Sequence, residues 1–208
     1  MELRFARHAN RGVARRLLQL KPESIRKLVL ALGVMYTCQY VLPNIQLGRI
    51  PKGYAGTRKT VEQITRLIKN GAKDFCVRQT AIDILVENRV PPKKYLREIG
   101  TLFEWVKRNI RYTRDIYRVE LLHSPRRMLE LRAGDCDDMT ILLGAMLKAI
   151  GHPVRLALVG FNPRRKKLFT HIYLEAFCKG WWIPLDPTVH RPMGWAPPAD
   201  HKEIFAID

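Results

Sequence analysis

Arg-Ala-Gly-Asp-Cys-Asp-Asp at residues 132–138 runs straight into an apolar stretch that ends at Gly151. This junction constrains the fold more than anything else in the chain. Ile141, Leu142, Ala145, Met146 and Ala149 recur at three- and four-residue spacing, the pattern of a buried helix. Gly151 and Pro153 stop that helix, and Gly134 breaks regular structure just before it. Cys136 therefore stands at, or within a residue of, a helix N-terminus. Unpaired N–H groups and the positive end of the dipole converge there, and both favour thiolate, the nucleophilic form of cysteine. Asp135, Asp137 and Asp138 oppose the thiolate electrostatically, yet they suit a helix start as caps. Taken alone, the stretch presents a cysteine at a helix start, and a small buried hydrophobe is the alternative reading.

Downstream, two β-rich runs, 167–178 and 181–188, flank Lys179-Gly180, the signature of a hairpin. His171 lies early in the first strand and Asp186 late in the second, positions that an antiparallel hairpin brings level. A nucleophile, its base and the acid that orients the base can then meet. Cys178 is an odd number of residues from His171 and faces the other way, which makes it structural. Tyr173 and Glu175 share the face of His171 and are expected to support neighbouring strands. His123 and His152 compete as bases for the thiol only by sequence proximity, with no acid placed opposite, and are expected to be ordinary polar residues. His190 and His201 carry no signal.

Gly134-Asp135-Cys136-Asp137-Asp138, then His171-x-Tyr173-x-Glu175, then Trp182-x-Pro184-Leu185-Asp186-Pro187-Thr188 resemble the core of the transglutaminase-like superfamily, papain-like Cys-His-Asp proteins. The runs Phe103 to Tyr112 and Ser124 to Leu129 are similar to that family's lead-in helices. The resemblance covers about Tyr95 to Thr188 and is nearer to compact bacterial and bacteriophage members than to large animal enzymes. It implies an α+β, papain-like fold with helices packed on a small antiparallel sheet. It implies Cys136 as nucleophile, His171 as base and Asp186 as orienting acid. The implied reaction is thiol-dependent acyl transfer on a protein or peptide, as a cysteine peptidase or amidase when water accepts the acyl group, or transglutaminase-like when an amine does. Resemblance to small prokaryotic members tilts the expectation towards hydrolysis. No cofactor is required. The backbone N–H of Cys136 is the natural first oxyanion donor, with a second from the 109–112 region.

The 208 residues suffice for one full core and an appendage, and 47% hydrophobic with 27% charged residues are globular values. Cys38, Cys76, Cys136 and Cys178 lie far apart with no C-x-x-C pair, which argues against zinc and against a disulfide framework. Reduced thiols and a cytoplasmic setting are expected, or a virion-associated one if the protein is phage-encoded. The Asp135–Asp138 loop lacks the glycine and terminal glutamate of an EF-hand, so no metal is assigned. The net charge is +18, and residues 1–60 hold twelve Lys and Arg against two Glu. Such a basic arm suits nucleic acid or an assembly partner. It supports a second reading, a structural or assembly protein of a phage particle in which the triad is idle.

Residues 3–20 have a basic amphipathic pattern, and a charge-free run at 28–48 is too short and too polar for a membrane span. The Gly- and Pro-rich segment 50–56 marks a boundary. The expected organisation is an arm at 1–50, a catalytic domain at 51–188 and an irregular tail at 189–208. Helices are expected over 60–69, over 73–87 with Phe75, Ile82 and Leu85 inward, and over 93–109 with Leu96, Ile99, Phe103, Val106 and Ile110 as the core stripe. Ser124-Pro125 opens a short helix, and 154–161 is a strand. The basic turn 162–167 is expected to be a solvated hairpin tip.

Overall fold

Asp74, Ser124 and Asp135 have short side chains able to accept backbone N–H groups at a helix start. In a computed structural model, which describes residues 48–114 and 121–208, each of them opens a helix. The described residues form α1 (Tyr54–Gly71), α2 (Phe75–Glu87), α3 (Tyr95–Asn109), β1 (Arg111–Tyr112), α4 (Pro125–Leu131), β2 (Ala133–Gly134), α5 (Cys136–Ala149), β3 (Val154–Gly160), β4 (His171–Cys178), β5 (Trp181–Leu185) and β6 (His201–Ala206). The chain divides into two units, Met1–Asn44 and Ile45–Asp208. The expected helical arm lies outside the described residues, as does nearly all of the run at 28–48.

From Asp138 to Leu147 every residue of α5 is buried. A helix that is apolar on all sides belongs in the middle of a fold. α1, α2, α3 and α4 pack around α5, and β4 closes its remaining side. Gly144 makes the close approach feasible: a Cβ there would stand 2.9 Å from Ile68 Cδ1 and 3.2 Å from Leu174 Cδ1, so α1 and β4 both come in where a side chain is missing.

The four-stranded sheet has the order β5-β4-β3-β6 and is antiparallel throughout. Lys179 and Gly180, with φ of 51° and 89°, form the two-residue turn that joins Cys178 to its partner Trp181. Ile172, Leu174, Ala176 and Cys178 join the main core with α5, whereas Tyr173 packs on the opposite face with Ala157, Val159 and Ala196. That face also holds a charge cluster. The buried Glu175 accepts from Arg155 Nε at 2.7 Å and from Lys202, so β3, β4 and β6 are tied at one carboxylate. Tyr173 and Glu175 thus support the sheet, as expected.

Several expectations are corrected. In α2 the inward residues are Cys76, Val77, Ala81 and Ile84, while Phe75 is 59% exposed and Ile82 also lies outward. Apolar residues populate more than one side of this helix, and packing on α5 selects the side with the small Ala81. In α3 Leu102 is buried and Leu96 is exposed. The tail is not wholly irregular, since residues 201–206 form β6 along β3. Its exposure alternates residue by residue, as in an edge strand with one wet face, and this weak pattern is masked by the prolines before it. Finally, Cys76 is disulfide-bonded, while Cys136 and Cys178 are free. Spacing along a chain does not report which sulfurs approach in space. The support that reduced thiols gave to a cytoplasmic setting falls away with this bond. No helix among the described residues is long and apolar enough to cross a membrane.

Candidate active site

Local interactions fix the cysteine turn from both sides. α4 ends at Arg132 in the left-handed conformation, with φ 55°, and the Arg132 guanidinium lies over the Trp105 ring. β2 then pairs in parallel with β1, Arg111 N–H donating to Arg132 O and Thr113 N–H to Gly134 O, each at 2.8 Å. Asp135 caps α5 by accepting the N–H groups of Asp137 and Asp138. Asp138 folds back over Gly134, where a Cβ would stand 2.6 Å from its own Cβ and 2.7 Å from its Oδ2. Glycine is therefore needed at 134 for space. Burial raises the Asp138 carboxyl above its ordinary value, against the opposing pull of the His123 N–H and ring, both donating at 2.8 Å.

Cys136 is the first residue of α5, as expected. Its Sγ lies 3.4 Å from Asp137 Oδ1, and the backbone N–H of Ile172, the residue after His171, works to lower its pKa. Thr140, one turn along the same helix face, donates to Ile172 O at 3.5 Å. The first turn of α5 is thus stitched to β4 just where β5 no longer covers it. The helix start does not make this thiol acidic. Burial pushes its pKa up, the Asp137 and Asp135 carboxylates push it further, and the Ile172 N–H only partly offsets them. At rest the sulfur carries its proton and donates it towards Asp137. Removing that negative neighbour lowers the pKa, so an Asp137→Asn variant is expected to react with iodoacetamide several-fold faster at pH 7. Its rate–pH curve should move to lower pH, and an unmoved curve would exclude Asp137 as a cause.

His171 opens β4. The β4–β5 register pairs Leu174 with Leu185, which carries Asp186 to a place opposite Tyr173, diagonal to His171 and on the same face. His171 Nε2 meets Asp186 Oδ2 at 2.7 Å. Oδ1 of the same carboxylate accepts the Thr188 hydroxyl at 2.6 Å and the Thr188 N–H at 3.1 Å. Burial alone would raise the Asp186 carboxyl, but the His171 contact and the two Thr188 donors outweigh it and hold the carboxyl below its usual value. With Nε2 bound to the acid, Nδ1 is the ring nitrogen left for a thiol proton. His171 and Asp186 touch directly. Cys136 makes no hydrogen bond to the ring, and its helix is tied to β4 by the Thr140 hydroxyl on Ile172 O.

The other histidines have other duties. His123 holds Asp138, His152 Nε2 pairs with Glu98 at 2.9 Å in a buried contact, and His201 Nε2 meets Leu168 O. Asp135, Cys136 and Asp137 place ligand atoms within 4.8 Å of one another. Capping and the thiol contact already employ Asp135 Oδ1 and Asp137 Oδ1, so a helix start accounts for the group. Tyr112 was visible in the sequence only as part of the 109–112 region. It pairs with Gly134 across β1 and β2, and its phenol is half-exposed. Burial, first, and the Asp135 carboxylate raise its pKa, which keeps the hydroxyl a donor.

The fold is shared with solved structures. A candidate protease from Parabacteroides distasonis aligns with a TM-score of 0.51 at 13% identity, over 73% of this chain and 32% of its own. A candidate cysteine protease from Cytophaga hutchinsonii aligns at 0.40 and 22% identity, over 71% and 48%. LapG from Legionella pneumophila aligns at 0.43 and 19%, over 64% and 75%. The chain therefore spans about a third of the Parabacteroides protein and about half of the Cytophaga one. No curated protein matches the sequence closely enough to count as a relative. Residues 85–187 match the transglutaminase-like superfamily, a segment that contains α3, the cysteine turn and the His171–Asp186 pair. The chain belongs to the transglutaminase-like superfamily.

Proposed function

We propose that residues 51–188 form a thiol acyl-transfer domain in which Cys136 is the nucleophile, His171 the base and Asp186 the orienting acid, with hydrolysis of a protein or peptide amide as the favoured outcome. The observation that carries this reading is the 2.7 Å contact of His171 with Asp186, with His171 one residue from the Ile172 carbonyl that Thr140 of the cysteine helix reaches. His171, with Nε2–H on Asp186, accepts the thiol proton at Nδ1 as the sulfur adds to the substrate carbonyl. The oxyanion that forms accepts the N–H of Cys136, which has no partner within the helix. His171 then protonates the leaving amine, the C–N bond breaks, and the acyl group remains on sulfur as a thioester. Water, deprotonated by His171, adds to the thioester, and its collapse returns the acid product and the thiol.

The raised thiol pKa fits this sequence of steps: a proton that does not leave spontaneously has to be drawn off by the base. A His171→Ala variant is accordingly expected to label at Cys136 with a vinyl sulfone about 10²-fold more slowly than the natural protein, while Cys178 is unaffected. Mass spectrometry after timed labelling reads both sites at once. Equal, slow labelling of Cys136 and Cys178 in the unaltered protein would remove the acyl-transfer reading.

A further inference from the structure

Beside the cysteine turn lies a cavity of about 140 Å³. Ile110, Met139, Pro187 and Val189 give it apolar walls, and Tyr112, Thr188 and His190 stand at its polar edge. Its position is tied to the site through three of these residues. Met139 is the residue one turn along α5 from Cys136 and is buried. Thr188 holds the Asp186 carboxylate, and Tyr112 on β1 pairs with Gly134, two residues before Cys136. A cavity of roughly 150 Å³ lined by aliphatic groups takes a molecule the size of benzene. No carboxylate lines this one, so nothing in it would receive a basic side chain. Lys107 reaches its wall, but that ammonium donates to Arg191 O at 2.8 Å and pairs with Glu104 at 3.5 Å, so it is already engaged. His171, against which any leaving group must lie to be protonated, is not among the lining residues. Cys136 is not among them either, and Met139, one turn along α5, links the cavity to the sulfur.

We infer that this cavity binds one uncharged apolar side chain, of leucine to phenylalanine size, carried next to the reacting carbonyl on its acyl side. The inference rests on the acyl-transfer reading for the words "acyl side", but the binding itself does not. Filling an apolar pocket discriminates by about tenfold or more per methylene. An N-acetyl-leucyl vinyl sulfone is therefore expected to label Cys136 of the unaltered protein at least about tenfold faster than its glycyl counterpart.

Val189→Trp, which carries an indole to the rim of the cavity, is expected to bring that ratio down towards one. Val189→Ala, a milder change, should shift the preference from leucyl towards phenylalanyl probes. A readout without chemistry completes the test. In a Cys136→Ser protein, the Met139 methyl NMR signal should move on titration with N-acetyl-leucinamide and stay still with N-acetyl-glycinamide. Fast labelling of Cys136 by leucyl and glycyl probes alike would overturn the pocket and leave the triad standing. A moving Met139 signal with no enhanced labelling would keep the pocket and overturn the triad. A still Met139 signal, or a preference for lysyl or glutamyl probes, would overturn the pocket.

Discussion

An Asp186→Asn variant is expected to lose about 10⁴-fold in acyl-transfer rate while remaining folded, an effect of the size seen when a triad histidine is held in the wrong tautomer. The reason lies on the far side of the carboxylate. Oδ1 accepts two donors from Thr188, its hydroxyl and its N–H, and Oδ2 accepts the His171 proton. An amide at this position has one oxygen and one NH₂. Two donors at Thr188 demand the oxygen there, so the NH₂ is turned to His171 Nε2. That nitrogen must then accept, the ring proton moves to Nδ1, and Nδ1 no longer takes a proton from the thiol. Adding Thr188→Val removes one of the two donors and lets the amide turn over. The double variant is expected to recover about tenfold of the lost rate. Timed labelling of Cys136 by a vinyl sulfone measures both. An Asp186→Asn protein retaining more than a tenth of the natural rate, or a double variant slower than the single one, would defeat the tautomer explanation.

The second large effect concerns stability. Arg155→Ala is expected to cost about 1.5–3 kcal/mol, because it leaves a buried carboxylate with Lys202 as its remaining charged partner. The Glu175 side chain is 3% exposed, and Arg155 contacts it through Nε at 2.7 Å and a terminal nitrogen at 2.6 Å while lying over the Trp182 ring. Glu175→Ala leaves behind cations whose side chains already reach water, so it should cost clearly less than Arg155→Ala. Urea unfolding of the two variants tests that order, and the reverse order would refute the account. The same cluster sets an alkaline limit. Desolvation works to lower the Lys202 pKa, but Glu175 and Tyr173 outweigh it and the value is raised. Lys202 thus holds its proton more tightly folded than unfolded. Its contribution is complete below the ordinary lysine value and is lost as pH rises through the raised one.

Much of this site could be read from sequence because its determinants are local. Gly134, Asp135 and the apolar run after Asp138 fix a helix start within a few residues. Lys179-Gly180 fixes the hairpin, and a hairpin fixes which positions meet, although the register sets Asp186 two residues from the level of His171 and the side chains close the remaining distance. What escaped the sequence depends on partners far along the chain. Which face of α2 is covered depends on α5. The pairing of β6 with β3 joins segments some forty residues apart. The acidity of the thiol depends on burial as well as on the Asp137 and Asp135 carboxylates beside it, and burial has the larger effect. Tyr112 comes opposite Gly134 through a two-residue parallel pairing too brief to leave a pattern.

The place of β6 has a consequence for how the domain is made. β3 is synthesised some forty residues before the strand that covers its outer edge. Until residues 201–206 emerge, the nascent sheet presents the ladder of Val154–Gly160 to any passing strand, and Glu175 lacks its lysine. A fragment ending at Asp200 would keep the triad residues yet be prone to stick to copies of itself, so a truncation that leaves the chemistry on paper intact would be lost to precipitation at the bench.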